Sequence, residues 1–318
     1  MAKTKVLSVG ELSASPGEKA QGFLEVAGTP VKMPVTLING IKEGKTVLIT
    51  GGTHGGEYPG VETAIRLASS VMPEEISGQL IIVHPCNVPA FQAKMQYIGP
   101  YDGKNLNREY PGLATGTVTQ RIAYTVSSML FTQADFYMDL HGGDIHEALT
   151  PFVLYSKLGN EEQTQLSRQA AKALGVSFIC GSVSSNGTFG CAAKMGVPGF
   201  LAEIGNLGLW SEEEVAQYLK GVKNVLRLLS VMEGDVFENP DCIDCEKMVG
   251  GDAEQTGCWY PCVGLREQVK AGQKLGEIRD YFGNVLGEYE APCDGHVLYV
   301  IASLAINEGD PIYALGRE

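Results

Sequence analysis

The chain lacks what would bind it to nucleic acid or to a lipid surface. Lysine and arginine total 24 against 37 aspartates and glutamates, a formal net charge of −13 over 318 residues. A surface of that sign repels phosphate backbones and anionic lipid. No apolar run approaches the about 18 residues that a membrane helix requires. The opening segment, Met1 to Leu7 and then Gly10 and Glu11, contains no apolar core of signal-peptide length. A soluble cytoplasmic protein, with no nucleic-acid or membrane partner, is expected. Tandem repeats and low-complexity tracts are absent as well. Charged residues make up 19% and hydrophobic residues 44%, which excludes a disordered chain and allows a sizeable core. Eight cysteines in a cytosolic chain of this size read as reduced thiols rather than a disulfide frame.

What is present is an alternation. Residues 23–38 mix apolar and polar positions, as in short antiparallel strands. Thr46-Val47-Leu48-Ile49-Thr50 is a compact apolar run of the kind that forms a buried strand. It enters the glycine-rich loop Gly51-Gly52-Thr53-His54-Gly55-Gly56-Glu57. After Pro59, the positions Val61, Ala64, Ile65 and Ala68 recur at helical spacing. The unit repeats in outline. Strands are expected at Leu80–Val83, Phe136–Leu140, Val176–Cys180 and Gly199–Ala202, and helices at about 118–132 and 161–174. A further helix starts from a capping box of Ser211 and Glu214. Strands alternating with helices predict an open, mainly parallel mixed sheet flanked by helices, an α/β fold. After about Gly234 the helical period disappears and turn signals come at short intervals. The domain division is therefore 1–234 and 235–318, the second a small all-β unit.

Chemistry collects at the strand ends, where open α/β sheets bind their ligands. The first strand delivers His54 and Glu57, a later one His141, and a third Glu203. Two neutral imidazoles and a carboxylate are a catalytic zinc set that leaves a coordination position for water. Gly52, Gly55 and Gly56 let His54 and Glu57 face one ion. The other reading of His54 and Glu57, as polar residues that cap the following helix, does not call for so many glycines.

The ordered set His54-Gly55-Gly56-Glu57, Asn105-Leu106-Asn107-Arg108, Asp139-Leu140-His141 and Ala202-Glu203 resembles the succinylglutamate desuccinylase/aspartoacylase family of the zinc carboxypeptidase clan. The resemblance spans about residues 45–210, and the β unit after it fits the family's layout. It implies one Zn2+ per chain held by His54, Glu57 and His141, with Glu203 as general base. Asn107 and Arg108 would bind the carboxylate of a small N-acylated substrate, and Tyr281 in the β unit would help close the pocket. The implied reaction is hydrolysis of the amide bond of an N-acyl amino acid or related acylated amine. A metallocarboxypeptidase acting on peptides and a non-catalytic ligand-binding relative are the alternatives. Nothing in the sequence excludes a homo-oligomer.

Each assignment has its own chemistry. Arg108 offers a planar fork for a carboxylate and Asn107 adds a donor, although Arg108 could instead pair with Glu109. Asp139 shares a strand face with His141 and could orient its imidazole. One departure stands out: the family commonly has an arginine upstream of the Asn-Arg pair, and Phe91-Gln92-Ala93-Lys94-Met95-Gln96-Tyr97 contains none. Lys94 and Gln96 are the nearest substitutes. Cys242, Cys245, Cys258 and Cys262 have the composition of a second, four-thiolate zinc site, with a spacing shorter than is common. His146 competes with His141 as a ligand but does not end a strand, and His84 and His296 read as structural. Around Asp294-Gly295-His296 the β unit resembles a biotinyl/lipoyl-like domain, but no lysine follows Lys274, so a carrier role is not expected.

Overall fold

The structure, a computed structural model, describes residues 5–317. Its apolar runs assemble into one nine-stranded mixed sheet. In chain order the strands are β1 (Glu18–Glu25), β2 (Lys32–Asn39), β3 (Lys42–Gly51), β4 (Ser77–Val83), β5 (Phe136–His141), β6 (Phe152–Ser156), β7 (Phe178–Ser182), β8 (Gly199–Glu203) and β9 (Ile243–Cys245). Across the sheet they run β9-β7-β6-β8-β5-β3-β4-β2-β1. Strands β4, β3, β5 and β8 are parallel, β6 reverses against β8, and β6, β7 and β9 are parallel again. Strands β2 and β1 close the other edge antiparallel.

The central strands are apolar on both faces because both faces are covered. The helices are α1 (Tyr58–Ser70), α2 (Val88–Ala93), α3 (Val118–Thr125), α4 (Glu161–Ala173), α5 (Thr188–Lys194) and α6 (Glu212–Leu228). On one face Ala64 and Leu67 of α1, Ala170 of α4 and Val222 of α6 pack on Val47, Ile49, Met138 and Phe200. On the other, Ile122 of α3 and Phe189 of α5 pack on Leu48, Ile81, Tyr137 and Leu201. Burying each such side chain stabilises the fold by about 1.5–3 kcal/mol relative to exposure. Ser211 caps α6 by accepting from the Glu214 N–H. The helical turn of α3 continues through Val126–Leu130 and Phe131–Gln133. Strands β6 and β9 and helices α2 and α5 are elements that periodicity did not reveal. Among the described residues no helix is long and apolar enough to cross a membrane.

The composition break at residue 234 follows α6. The chain then adds β9 to the large sheet before the β-rich unit starts at Lys247. That unit has two antiparallel sheets around Trp259, Leu275, Ile278, Val297 and Leu315. One of its strands, Gly295–Ile301, pairs with Glu147–Leu149 of the first unit, with Ile301 opposite Glu147. The β unit is thereby fastened to the loop that follows His141.

Candidate metal centre and active site

The loop between β3 and α1 depends on its glycines for two different reasons. Gly52 has a left-handed φ of +73°, which a side chain resists. Gly55 and Gly56 are needed for space. A Cβ on Gly55 would lie 2.4 Å from the Ala90 carbonyl oxygen, and one on Gly56 would lie 1.9 Å from Asp144 Oδ1. Glu57 occupies the N-cap position of α1 but makes no capping bond with its side chain. Its carboxylate turns to the two imidazoles instead.

Glu57 Oε1 lies 2.5 Å from His54 Nδ1, and Oε2 lies 2.7 Å from His141 Nδ1. The two rings stand nearly perpendicular, with centroids 4.8 Å apart. One ligand atom from each of the three residues lies within 4.8 Å of the others, so the group can hold a metal ion. The far nitrogens identify the ligand atoms. His141 Nε2 faces Asp139 Oδ2 at 2.9 Å, and His54 Nε2 faces Asn105 Oδ1 at 3.1 Å. That asparagine oxygen also accepts the Asn107 N–H, at 2.8 Å, which establishes it as an acceptor. Both Nε2 atoms face acceptors and carry hydrogen, so the Nδ1 atoms, on the Glu57 side, are the ones left to serve as metal ligands once any proton there is displaced. His141 Nδ1 is fully buried and makes no hydrogen bond, although a Glu57 oxygen is close by.

The charges agree. Burial works against the Glu57 carboxylate, yet His141 and His54 outweigh it and hold its pKa at about 2. Burial likewise opposes a charged His141, but Glu57 and Asp139 raise its pKa well above the ordinary value. Without a metal, this site takes up a proton where a cation would sit.

Asp139 is set by four donors. Thr50 and Thr53 hydroxyls reach Oδ1 at 2.6 and 3.1 Å, and Thr188 and His141 reach Oδ2 at 2.5 and 2.9 Å. Glu203 ends β8 directly opposite His141 in register. Burial, and then the charge of Glu57, push its pKa well up, and its Oε2 is buried without a partner. The Tyr218 hydroxyl of α6 lies 2.5 Å from the His141 carbonyl and 2.8 Å from that of Ala202, which ties the two strand ends together.

Asn107 is buried, and its Oδ1 accepts the Thr188 N–H at the start of α5, 2.9 Å away. Its amide NH2 is the group left to offer a substrate. Arg108 is exposed. Its Nη1 donates to the Asn107 carbonyl, and among the described residues it makes no ion pair; Glu109 is bound to Lys104 and Gln120. Gln96 donates its amide to the Ile145 carbonyl, and Lys94 is exposed at the end of α2. The structure does not bring Tyr281 to this site: it stands 79% exposed on the turn between Lys274–Arg279 and Val285–Glu290. Nor are the four cysteines gathered, since Cys242 and Cys245 lie at β9 and Cys258 and Cys262 in the β unit. The metal-capable group among the described residues is His54, Glu57 and His141. His146 is exposed and outside that group, His84 bonds Thr36, and His296 packs on Phe178. Tyr218, Asp144 and Glu147 escaped the sequence reading, and Asn105 entered it only as part of a motif, with no role of its own. No local pattern assigns these roles, because each residue acts across a long sequence separation or through burial.

An α/β sheet whose parallel strand ends assemble a His-Glu-His cage beside a buried carboxyl defines a hydrolase-type scaffold with a candidate metal centre. The chain belongs to the succinylglutamate desuccinylase/aspartoacylase family: residues 43–229 match that family's catalytic domain. It is 32% identical over 304 residues to the N-α-acetyl-L-2,4-diaminobutyric acid deacetylase of Halomonas elongata, covering 92% of this chain and 88% of that one. Two solved structures are similar over its full length, each 27% identical. The product-bound ectoine utilization protein EutE (DoeB) of Ruegeria pomeroyi has a TM-score of 0.87, with 100% of that chain covered. A succinylglutamate desuccinylase from Silicibacter sp. TM1040 has 0.85, with 99% covered.

Proposed function

We propose that this chain is a zinc-dependent hydrolase that removes the acyl group from a small N-acyl amino acid. The observation that carries the reading is the paired orientation of the two rings: Asn105 and Asp139 accept from both Nε2–H groups, which leaves both Nδ1 atoms, beside the Glu57 carboxylate, to serve as metal ligands. A zinc ion bound there lowers the pKa of a coordinated water to about 7 and polarises the acyl carbonyl. Glu203, with its raised proton affinity, takes the proton of the attacking water and returns it to the leaving nitrogen. The Asn107 amide NH2 and the unpaired Arg108 guanidinium anchor the substrate carboxylate. The deacetylase of H. elongata, which acts on an acetylated amino acid, supports a small acyl substrate.

The test is metal analysis together with a hydrolysis screen over N-acyl amino acids and short peptides. One zinc per chain and turnover of N-acyl amino acids are expected. Glu203→Gln should retain the zinc and lose turnover by about 10²–10⁴-fold. A Glu203→Gln protein that keeps its zinc and its full rate would remove Glu203 from the mechanism.

A further inference from the structure

Val215, Tyr218, Val222 and Val225 lie on the buried face of α6, and Tyr218 carries a hydroxyl into that apolar row. It is fully buried. A phenylalanine would fill the same space, and a hydroxyl taken out of water is costly unless it is bonded. Its bonds explain its presence. Its hydrogen is shared between the carbonyl oxygens of His141, at 2.5 Å, and Ala202, at 2.8 Å. Burial, and then the charges of Glu203 and Glu57, raise the phenol pKa well above its ordinary value, so the group stays a donor.

Each of those carbonyls belongs to a peptide unit whose other end touches the chemistry. The His141–Gly142 unit follows a metal ligand, and its N–H donates to Oε2 of the ligand Glu57 at 3.3 Å. The Ala202–Glu203 unit leads into the base. Strand pairing ends at this level: Glu203 is the last residue of β8 to pair, with His141 of β5 on one side and Phe152 of β6 on the other. The Ile204 N–H reaches the His141 carbonyl only at 3.4 Å. The next firm bond across the gap, from the Gly143 N–H to the Gly205 carbonyl at 2.9 Å, lies two residues further on. Nor does a side-chain bond hold Oε2 of Glu203, which has no partner. The distance of this carboxyl from the metal ligands is therefore set by the backbone at the strand end, where local opening is easiest.

We propose that Tyr218 is a positioning residue for the proton-transfer step: by clamping the two strand ends together, it holds the Glu203 carboxyl in place against the His54-Glu57-His141 centre. This rests on the reading of Glu203 as general base and adds what sets its place. A base must meet the attacking water within hydrogen-bond reach, and a misplacement of about 1 Å costs about 10²-fold in rate. Removing the hydroxyl keeps the aromatic packing and frees the end of β8 to move relative to β5. The ligand imidazoles keep their own partners, Asp139 and Asn105, so the metal is retained. The loss falls on the rate, not on the binding of metal or substrate.

The experiment measures kcat and KM of the zinc-loaded Tyr218→Phe chain on an N-acetyl amino acid that the parent cleaves, with zinc affinity by chelator competition. The kcat should fall about tenfold or more, while KM and zinc affinity stay within about threefold of the parent. In the Glu203→Gln background the same change should alter the residual kcat by less than about twofold, because the group being positioned is gone. Amide exchange read by mass spectrometry is independent of turnover. Peptides covering 136–142 and 199–205 should exchange about tenfold faster in Tyr218→Phe than in the parent, without zinc as well as with it. Tyr218→Met, also without a hydroxyl and adaptable in a core, serves if the first variant does not fold. Val225→Ala, which loosens the same buried helix face away from the two carbonyls, should lose stability and keep its kcat. An equal kcat loss in Val225→Ala or in the Glu203→Gln background, or unchanged exchange at both strand ends, would overturn the proposal in favour of a purely structural contact. An active parent whose Tyr218→Phe variant keeps full kcat refutes this inference alone. A parent that cleaves no N-acyl amino acid refutes the functional reading along with it.

Discussion

Replacing Asp139 by asparagine tests the metal centre at its most structured point. The parent carboxylate receives four donors, two threonine hydroxyls on Oδ1 and the Thr188 hydroxyl with His141 Nε2–H on Oδ2. An asparagine of the same shape has one acceptor oxygen and one donor NH2, so it can satisfy one of these pairs. If its oxygen faces His141, the tautomer survives and the imidazole loses only the basicity lent by a negative partner. If its NH2 faces His141, the ring proton moves to Nδ1 and the ligand lone pair is lost. Such orienting partners contribute about 10–100-fold in metal affinity, or about 1.4–2.7 kcal/mol at 1.36 kcal/mol per decade. The first orientation predicts the lower end and the second the upper. Competition against a chromophoric zinc chelator measures the affinity, and near-ultraviolet circular dichroism checks the fold. A folded Asp139→Asn protein with parental zinc affinity would refute the argument that Asp139 sets the His141 ligand atom.

Three further outcomes follow from the same geometry. His141 is protonated in the metal-free site because Glu57 and Asp139, against the effect of burial, raise its pKa well above 6.5; zinc must displace that proton. Affinity should thus fall as pH is lowered, with about one proton released near neutrality. Titration calorimetry in buffers of different ionisation enthalpy would expose the absence of any release. Arg108→Lys should raise KM about tenfold or more for carboxylate-bearing substrates, because a point charge does not replace a bidentate fork. An equal loss on an N-acyl amine without a carboxylate would argue against the anchor. Metal analysis should return one zinc per chain in the parent and also in Cys242→Ser and Cys258→Ser proteins, since Cys242 lies just before β9 of the large sheet and Cys258 in a strand of the β unit. A second equivalent lost in either variant would establish a thiolate site.

How much of this was legible follows from how each residue does its work. A zinc ligand or a general base must be a particular kind of side chain, and in an α/β sheet it sits where a readable apolar strand ends. His54, Glu57, His141 and Glu203 satisfy both conditions, so they stand out in the sequence. That Glu203 is opposite His141 follows from strand register, which no spacing along the chain encodes. Strand β6 was missed because it runs antiparallel beside β8, outside the strand-helix alternation that organised the reading. Tyr281 was expected at the pocket by resemblance, but the turn Asp280–Asn284 bonds within itself and faces solvent. The two asparagines of Asn105-Leu106-Asn107-Arg108 make the point most sharply. They look equivalent along the chain, yet Asn105 directs its oxygen to His54 and Asn107 directs its own to the start of α5. Either oxygen could do either task chemically; only their position in the fold separates them. Residues that orient a ligand are chosen by geometry rather than by type, so the layer around the metal is where relatives with the same four motifs can diverge in what they accept.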